Sequence, residues 1–247
     1  MLPSESKKIH ISQWVFFALL LLSIFLLGLS KSLLFDLDEG AFSEATREML
    51  IHEDWGHTTL NGADRFDKPI GVYWLQAISA SVLGINEFAF RLPSAISGWL
   101  TSLCLSFFAL RQWGNRAAVA AGFISATSLG PWAMARTATA DALLGLFLVL
   151  IFLDLCRALF EQKPLAGRRV ALWIALGLLV KGPVAVLIPV SALFIYGLTS
   201  PQSKSLIWKL ASDFFSWVIL LSVSLPWYIY AYLRHGQAFI DGFILKH

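Results

Sequence analysis

The amino-acid sequence predicts an all-α polytopic membrane protein. Of its 247 residues, 57% are hydrophobic and only 14% are charged, whereas soluble domains carry about 25% charged residues. Several apolar segments approach the roughly 20 residues that a helix needs to cross the hydrocarbon core of a bilayer. The formal net charge is only +3, and the chain has no basic run, which argues against a nucleic-acid partner.

About seven transmembrane helices are predicted from the lengths of the apolar segments. They cover residues 11–29, 92–110, 117–135, 142–160, 170–181, 183–199 and 214–233. The first is longer than the apolar region of a signal peptide, so we expect it to be retained. Lys181-Gly182-Pro183 interrupts the apolar stretch 170–199, and basic residues flank that stretch on both sides. Because basic flanks mark the cytoplasm, we predict a hairpin of two short helices.

The distribution of basic residues also predicts the orientation of the chain. With the N-terminus in the cytoplasm, most Lys and Arg residues outside the helices collect on the cytoplasmic side. The periplasmic face then receives the long first loop (30–91), the turn near residues 136–141, the hairpin tip at Lys181 and the segment after residue 233. The first loop carries ten acidic residues against five basic ones, as expected for a periplasmic segment.

The first loop is too long to be a simple connection. Apolar residues recur at helical spacing in residues 40–52, which predicts an amphipathic helix. Residues 68–84 are apolar and aromatic, but a further span would break the alternation of sides. We therefore predict an interfacial helix there, with Tyr73 and Trp74 at headgroup depth. The chain ends inside a loop, so we expect residues 1–247 to be the N-terminal part of a single membrane domain.

Polar residues at four places on the periplasmic face are candidates for chemistry. They are Asp36, Asp38 and Glu39 after the first helix, the stretch Asp64-Arg65-Phe66-Asp67-Lys68-Pro69, Arg136 with Asp141, and Lys181. Ionisable groups near the membrane are costly, and they suggest a function by default. A carboxylate can accept a proton from an attacking hydroxyl, and Lys or Arg can stabilise a departing phosphate. This combination predicts a reaction on a phosphate-bearing substrate.

Each of these residues also has a structural interpretation that the sequence leaves open. Asp38 and Asp141 could cap the helices that begin near them, since an Asp side chain satisfies free backbone N–H groups. Lys181 could extend from its hairpin turn to the interface. Arg136 could be an interface anchor. His57 lies in a hydrophilic loop and is expected to be solvated.

Several short motifs, taken together, resemble glycosyltransferase family 39. The family includes protein O-mannosyltransferases and the bacterial aminoarabinose transferases that modify lipid A. The motifs are Leu37-Asp38-Glu39, Glu44-x-x-Arg47-Glu48-Met49, Phe66-x-Lys68-Pro69-x-x-x-Tyr73-Trp74, Arg91-Leu92-Pro93-Ser94, Asp141, Lys181-Gly182 and Leu225-Pro226-Trp227. Their combined spacing is more specific than any one of them. The resemblance spans essentially the whole chain but only the N-terminal half of a usual family member.

The resemblance implies a C-type glycosyltransferase fold in the bacterial inner membrane. The sugar donor would be linked to a polyprenyl phosphate, and a lipid A-like, glycan or protein acceptor would bind at the periplasmic face. With the residue chemistry above, it assigns catalytic carboxylates to Asp38, Glu39 and Asp141, and cations near the donor phosphate to Lys68, Lys181 and Arg136. Asp38 would orient or deprotonate the acceptor, which attacks the anomeric carbon in line and inverts it.

A divalent metal is left open by the resemblance. Asp67 stands where the bacterial lipid A enzymes usually have Glu before Lys-Pro, and His247 matches a position that could join it at a metal site. The side chain of Asp67 is shorter by one methylene, which weakens that inference. Two ligands on distant loops make an incomplete site.

Two other functions remain compatible with the sequence. A transporter or channel could use Asp38, Asp141 and Lys181 as a relay, although transporter sites usually lie near the midplane of the bilayer. A non-catalytic subunit or an inactive fragment of a transferase is the third possibility. The depth of the charged residues would separate transfer from transport.

Overall fold

The computed structural model describes residues 11–31, 33–34 and 37–245, and these form a helical bundle with one small hairpin. The helices are α1 (Ile11–Leu26), α2 (Asp38–Ile51), α3 (Gly71–Leu83), α4 (Glu87–Trp113), α5 (Asn115–Thr127), α6 (Leu129–Met134), α7 (Asp141–Leu159), α8 (Pro164–Lys181), α9 (Val184–Gly197), α10 (Pro201–Ala211), α11 (Phe214–His235) and α12 (Gln237–Ile240). Strands β1 (Thr59–Leu60) and β2 (Ala63–Asp64) pair antiparallel. A π-helical turn (Asp241–Leu245) follows α12.

Every predicted span coincides with helical structure, and the boundaries have local causes. Asn86 begins α4 by accepting a hydrogen bond from the backbone N–H of Ala89 at 2.9 Å. The predicted span 117–135 is divided, because α5 ends at Thr127 and α6 begins after Ser128. Gly182 ends α8 with a φ of +69°, a conformation that glycine adopts at little cost. The predicted break between two helices at this position is therefore confirmed.

The number of membrane crossings stays a prediction. Within the described ranges, α4, α7 and α11 are each long and apolar enough to cross a bilayer. The helices α1, α3 and α9 are apolar but shorter. The helix α10 was not predicted, because residues 201–211 are too polar to be read as a span.

Contacts between loops place the functional candidates at one end of the bundle. The first loop reaches the turn before α7, since Glu39 accepts a hydrogen bond from the backbone N–H of Ala138 at 2.8 Å. It also reaches the end of α11, where Arg234 lies 2.6 Å from Asp54. At the hairpin tip between α8 and α9, Gly182 lies against Pro69 of the same loop. The predicted topology of the chain in the membrane stays a prediction.

Helices α2 and α3 pack on each other at this end, as the amphipathic pattern of α2 predicts. The prediction that Tyr73 lies at headgroup depth is wrong, because Tyr73 is fully buried. Its ring packs at 5.4 Å from that of Phe42, and its hydroxyl accepts a hydrogen bond from Arg65 at 3.2 Å. The indole of Trp74 donates to the carbonyl of Trp55 at 2.6 Å. One face of α3 therefore packs against protein, whereas Ile78 and Val82 on another face are exposed, and the interfacial position of this helix stays a prediction.

Candidate active site

A cavity of about 530 Å³ lies where the first loop meets the bundle. Its wall includes Asp38 and Ala41 of α2, the β1–β2 hairpin, residues 65–67 and Gly242 of the π-helical turn. Two of the candidate residues, Asp38 and Asp67, therefore face one space. The arrangement combines carboxylates and a guanidinium around a volume that can hold part of a sugar phosphate.

Asp38 is exposed at the start of α2. Its carboxylate makes no hydrogen bond or ion pair with any residue in the described part of the chain, and Asp36 lies outside the described residues. The residue before the helix is Leu37, which has a φ of +71° and no capping side-chain hydrogen bond. The cap interpretation of Asp38 is therefore wrong. A side chain in the first helical turn beside a strained residue is typical of a functional position.

Two cations contact Asp67, and one of them, Arg65, lines the cavity with Asp38. Arg65 Nη2 lies 3.0 Å from Asp67 Oδ2, and Lys68 Nζ lies 3.3 Å from Asp67 Oδ1. Arg65 also covers the face of the Phe42 ring at 5.7 Å. Sequence reasoning named the stretch that contains Arg65 but gave this residue no role. Its place between two aromatic residues and a carboxylate holds it in position at the cavity.

Of the two residues predicted to bind a metal, only Asp67 lies in the described part of the chain. Asp67 interacts with two cations, which already satisfy much of its charge. His247 lies outside the described residues. We therefore assign no catalytic step to a metal at this pair.

Glu39, although adjacent to Asp38, points into the interior and is only 1% exposed. Arg91 donates to it through Nε at 2.6 Å and Nη2 at 2.9 Å. The same guanidinium donates to the carbonyls of Leu29 and Leu33 at 2.8 and 2.9 Å. Glu39 and Arg91 thus tie α2 and α4 to the segment after α1. The geometry gives Glu39 a positioning role for Asp38 and gives no support for contact with substrate.

Arg91 holds Glu39 beside the candidate site, and the sequence analysis gave it no role. It was quoted as part of a motif, but no role followed from the motif. The available signal was a single arginine in the first two turns of a long apolar helix. Such a charge needs a buried partner, because an unpaired charge in the interior is very costly.

Asp141 and Lys181 form an ion pair with each other. Asp141 lies in the first turn of α7, and Lys181 is the last residue of α8, so each charge faces the favourable end of its helix dipole. Their side chains are 40% and 26% exposed. The structure brings these two candidates together and keeps both accessible to a bound molecule. Lys181 is therefore paired, and does not simply extend to the interface.

Arg136 holds the C-terminal end of α1. It donates to the carbonyl of Phe25 at 3.0 Å, and its guanidinium lies 5.0 Å from the ring centre of Trp132. Carbonyls in the last turn of a helix lack partners within the helix. Arg136 supplies one such partner, and its interpretation as a membrane-interface anchor stays a prediction. Its predicted contact with a donor phosphate stays a prediction.

Residues 67–231 match the family described as dolichyl-phosphate-mannose-protein mannosyltransferase. The chain belongs to this family. The resemblance drawn from the sequence motifs is confirmed.

The curated relatives are bacterial and much longer than this chain. An undecaprenyl phosphate-alpha-4-amino-4-deoxy-L-arabinose arabinosyl transferase of Pectobacterium carotovorum is 29% identical over 240 residues. The alignment covers 94% of this chain and 42% of that relative. A second, from Yersinia enterocolitica, is 31% identical over 218 residues, with 86% and 38% covered. The chain thus spans less than half the length of the relatives it matches.

A solved structure shares the fold. The crystal structure of ArnT from Cupriavidus metallidurans in the apo state superposes with a TM-score of 0.86 at 23% identity. The superposition covers 96% of this chain and 44% of that one. The predicted fold class, an all-α polytopic C-type glycosyltransferase fold, is confirmed.

Proposed function

We propose that this chain is the N-terminal part of a membrane glycosyltransferase that uses a polyprenyl-phosphate-linked sugar. Membership of the mannosyltransferase family and the names of the relatives support this class of donor. ArnT from Cupriavidus metallidurans has also been crystallised bound to undecaprenyl phosphate. A pentosyl donor of the aminoarabinose type is favoured over mannose, because the relatives are named for it and only the family description mentions mannose.

The observation that carries the proposal is the carboxylate of Asp38 in the cavity wall, which has no partner among the described residues. A carboxylate without a protein partner can accept a proton from an acceptor hydroxyl. The acceptor oxygen then bonds to the anomeric carbon, the bond from that carbon to the phosphate oxygen breaks, and the configuration inverts. If the acceptor is itself a phosphate, as on lipid A, there is no proton to remove, and Asp38 orients the acceptor.

The departing polyprenyl phosphate needs positive charge close to the cavity. Arg65 lies in the cavity wall, and Lys68 shares the carboxylate of Asp67 with it. Lys181, in its ion pair with Asp141, is a further cation at the same end of the bundle. These groups stabilise the developing charge most when the donor displaces their carboxylate partners. Asp141 then acts by holding Lys181 in place between turnovers.

The orientation of the chain follows from the same proposal. The N-terminus is cytoplasmic, seven helices cross the bacterial inner membrane, and the cavity faces the periplasm, where the lipid donor and the acceptor meet. A relay across the membrane would need charges near the midplane. The described candidates instead gather at one end of the bundle, which favours transfer over transport.

The test is glycosyl transfer in membranes supplied with undecaprenyl-phosphate aminoarabinose and lipid A. The chain is expressed as given and also extended by the coding sequence that follows it. Asp38→Asn is expected to lower the transfer rate by about 10²-fold, because an acceptor that is no longer correctly oriented can react that much more slowly. Glu53→Gln is the matched control, because Glu53 is an exposed carboxylate of the same loop without an ion pair to a described residue.

The possible outcomes separate the roles. Loss of transfer in Asp38→Asn with activity retained in Glu53→Gln supports the proposal. Transfer that is unaffected by Asp38→Asn removes this residue from the mechanism. Absence of transfer in both lengths of chain, over hexosyl as well as pentosyl donors, would contradict the proposed function.

A further inference from the structure

Two histidines and an aspartate that the proposed mechanism does not use come together beside the cavity. His57 Nε2 lies 2.9 Å from Asp64 Oδ1, and His235 Nδ1 lies 3.7 Å from Asp64 Oδ2. The two imidazole rings are 4.1 Å apart between centroids. One potential ligand atom from each residue lies within 4.8 Å of the others. The expectation that His57 is solvated is wrong, since its side chain is only 9% exposed.

The three residues come from three different segments that the fold holds in register. His57 follows α2, Asp64 lies in β2, and His235 ends α11. The segment before His57 is docked on α11, because Trp227 Nε1 donates to the carbonyl of Gly56 at 3.0 Å. Gly56 lies so close to the ring of Tyr230 that an added Cβ would come within 2.5 Å of it. The cluster is therefore preformed by backbone packing.

The charges around the cluster leave Asp64 available to both imidazoles. Arg234, the nearest cation on α11, is engaged by Asp54 at 2.6 Å and by the hydroxyl of Tyr230 at 2.6 Å. His235 Nε2 is buried and has no hydrogen-bond partner among the described residues.

We propose that His57, Asp64 and His235 bind a divalent transition metal, with zinc as the principal ion. Two imidazole nitrogens and one carboxylate oxygen are donors that zinc prefers, at about 2.0–2.2 Å. Ligands of a tetrahedral ion at those bond lengths lie roughly 3.3 Å apart, within the range of the contacts between Asp64 and the two rings. Three protein ligands leave a fourth position open for water or another ligand.

This site is distinct from the pair that the family resemblance implies. It shares no residue with Asp67 and His247. Because Asp64 also lines the cavity, a bound zinc ion fixes the β1–β2 hairpin to the end of α11 and so fixes part of the cavity wall. The proposal depends on the geometry of the cluster and stands whether or not the chain transfers sugar.

The test measures zinc bound by the whole purified chain in detergent, after chelator treatment and dialysis against buffered zinc. We expect His57→Gln and His235→Gln each to bind one equivalent of zinc less than the unmodified chain at the buffered zinc concentration. The reason is that the affinity of this site for zinc should fall by more than about 100-fold. That loss exceeds the roughly 10–100-fold effect of groups that only orient ligands. His52→Gln is the control on the same loop, and His247→Gln tests the site implied by the resemblance. Both are expected to retain this equivalent.

A second measurement uses the unmodified chain, so that it does not depend on the folding of a variant. Zinc K-edge X-ray absorption is expected to show two imidazole ligands and one or two oxygen ligands. A shell made only of oxygen atoms, or a chain that binds no zinc at buffered concentrations, overturns the proposal. So does zinc that is lost in His247→Gln but retained in folded His235→Gln.

Discussion

Asp38 and Glu39 are adjacent in sequence, but they have opposite environments. Asp38 is exposed at the cavity and its carboxylate has no partner among the described residues. Glu39 is 1% exposed and accepts hydrogen bonds from Arg91 and from the backbone of Ala138. Successive residues on an α-helix point about 100° apart. One turn of helix therefore directs one carboxylate to the cavity and the next to the interior.

The difference shows how a fold keeps a carboxylate available for chemistry. A charge that serves stability is saturated by partners and excluded from solvent, whereas a charge that serves a reaction keeps its lone pairs free. Glu39 fixes the start of α2 through the Arg91 guanidinium, and this fixes the direction of Asp38. The ion pair of Glu39 and Arg91 is buried, whereas the pairs Asp141–Lys181 and Asp54–Arg234 are partly exposed. Substitutions in these three pairs measure how far this distinction extends.

The largest effect is expected at the buried pair. Glu39→Gln should destabilise the chain by about 3–5 kcal/mol, because it removes the carboxylate charge that faces the buried guanidinium of Arg91. Asp38→Asn, the matched control one residue away, should change stability by less than about 0.5 kcal/mol, as surface substitutions do. The measurement is unfolding by SDS in mixed micelles. The double variant Glu39→Gln/Arg91→Met should recover part of the loss, since neither charge then remains.

A result in which Asp38→Asn is as destabilising as Glu39→Gln would remove the distinction between the two carboxylates. Strictly additive effects in the double variant would mean that Glu39 and Arg91 do not interact energetically. Either outcome would also weaken the positioning role proposed for Glu39.

Much of the helical framework could be predicted from the sequence. The length of the apolar stretch and its basic flanks predicted the break at Lys181-Gly182-Pro183. Because both flanks are expected in the cytoplasm, the chain has to turn back between them, and Gly-Pro interrupts the helix at that point. The division of the 117–135 segment was not predicted, although Gly130-Pro131 follows the break at Ser128 and is a local signal for a helix boundary. Tyr73 was predicted to lie among lipid headgroups but is buried in protein. The sequence of an apolar helix does not distinguish an aromatic residue that faces lipid from one that faces protein.

Candidate site residues could be predicted only where the residue type is unusual in its sequence context. Asp38 and Asp67 were found because carboxylates beside an apolar segment are rare. The partners were not found, because Arg91 lies 52 residues from Glu39 and Lys181 lies 40 from Asp141. Neither spacing has a local signature. The same applies to the His57–Asp64–His235 cluster, which forms only when α11 returns to the first loop.

An intermediate case is the pair of Asp141 and Lys181. Both side chains keep access to solvent, so their coupling in a double-mutant cycle of Asp141→Asn and Lys181→Met should be at most about 1 kcal/mol. The cycle cancels the separate contribution of Asp141 to the dipole of α7. Unfolding in mixed micelles at low and high salt is the measurement, and the coupling should fall with salt. A coupling as large as that of Glu39 and Arg91 would show that this pair is structural and unavailable to a substrate phosphate.

The smallest effect is expected at Asp54 and Arg234, the pair that docks the first loop on α11. The hydrogen bond from Arg234 holds the pKa of the Asp54 carboxyl below its usual value, and the backbone N–H of Gly56 adds to the effect. Asp54 therefore stays ionised to lower pH in the folded chain than in the unfolded chain. The stabilisation is fully present above the ordinary pKa of about 3.9 and disappears as the pH falls through the lower folded value.

Asp54→Asn should consequently cost less than about 1 kcal/mol near pH 7. The difference from the unmodified chain should shrink as the pH falls below the ordinary carboxyl pKa of about 3.9 and through the lower folded value. Unfolding at successive pH values from 7 down through this range measures the difference, with Glu53→Gln as the neighbouring control. A difference that does not depend on pH would mean that Asp54 stabilises the loop through the shape of its turn with Gly56. In that case Asp54 would differ from the carboxylates of the other two pairs, because it would act through the backbone of its turn and not through its charge.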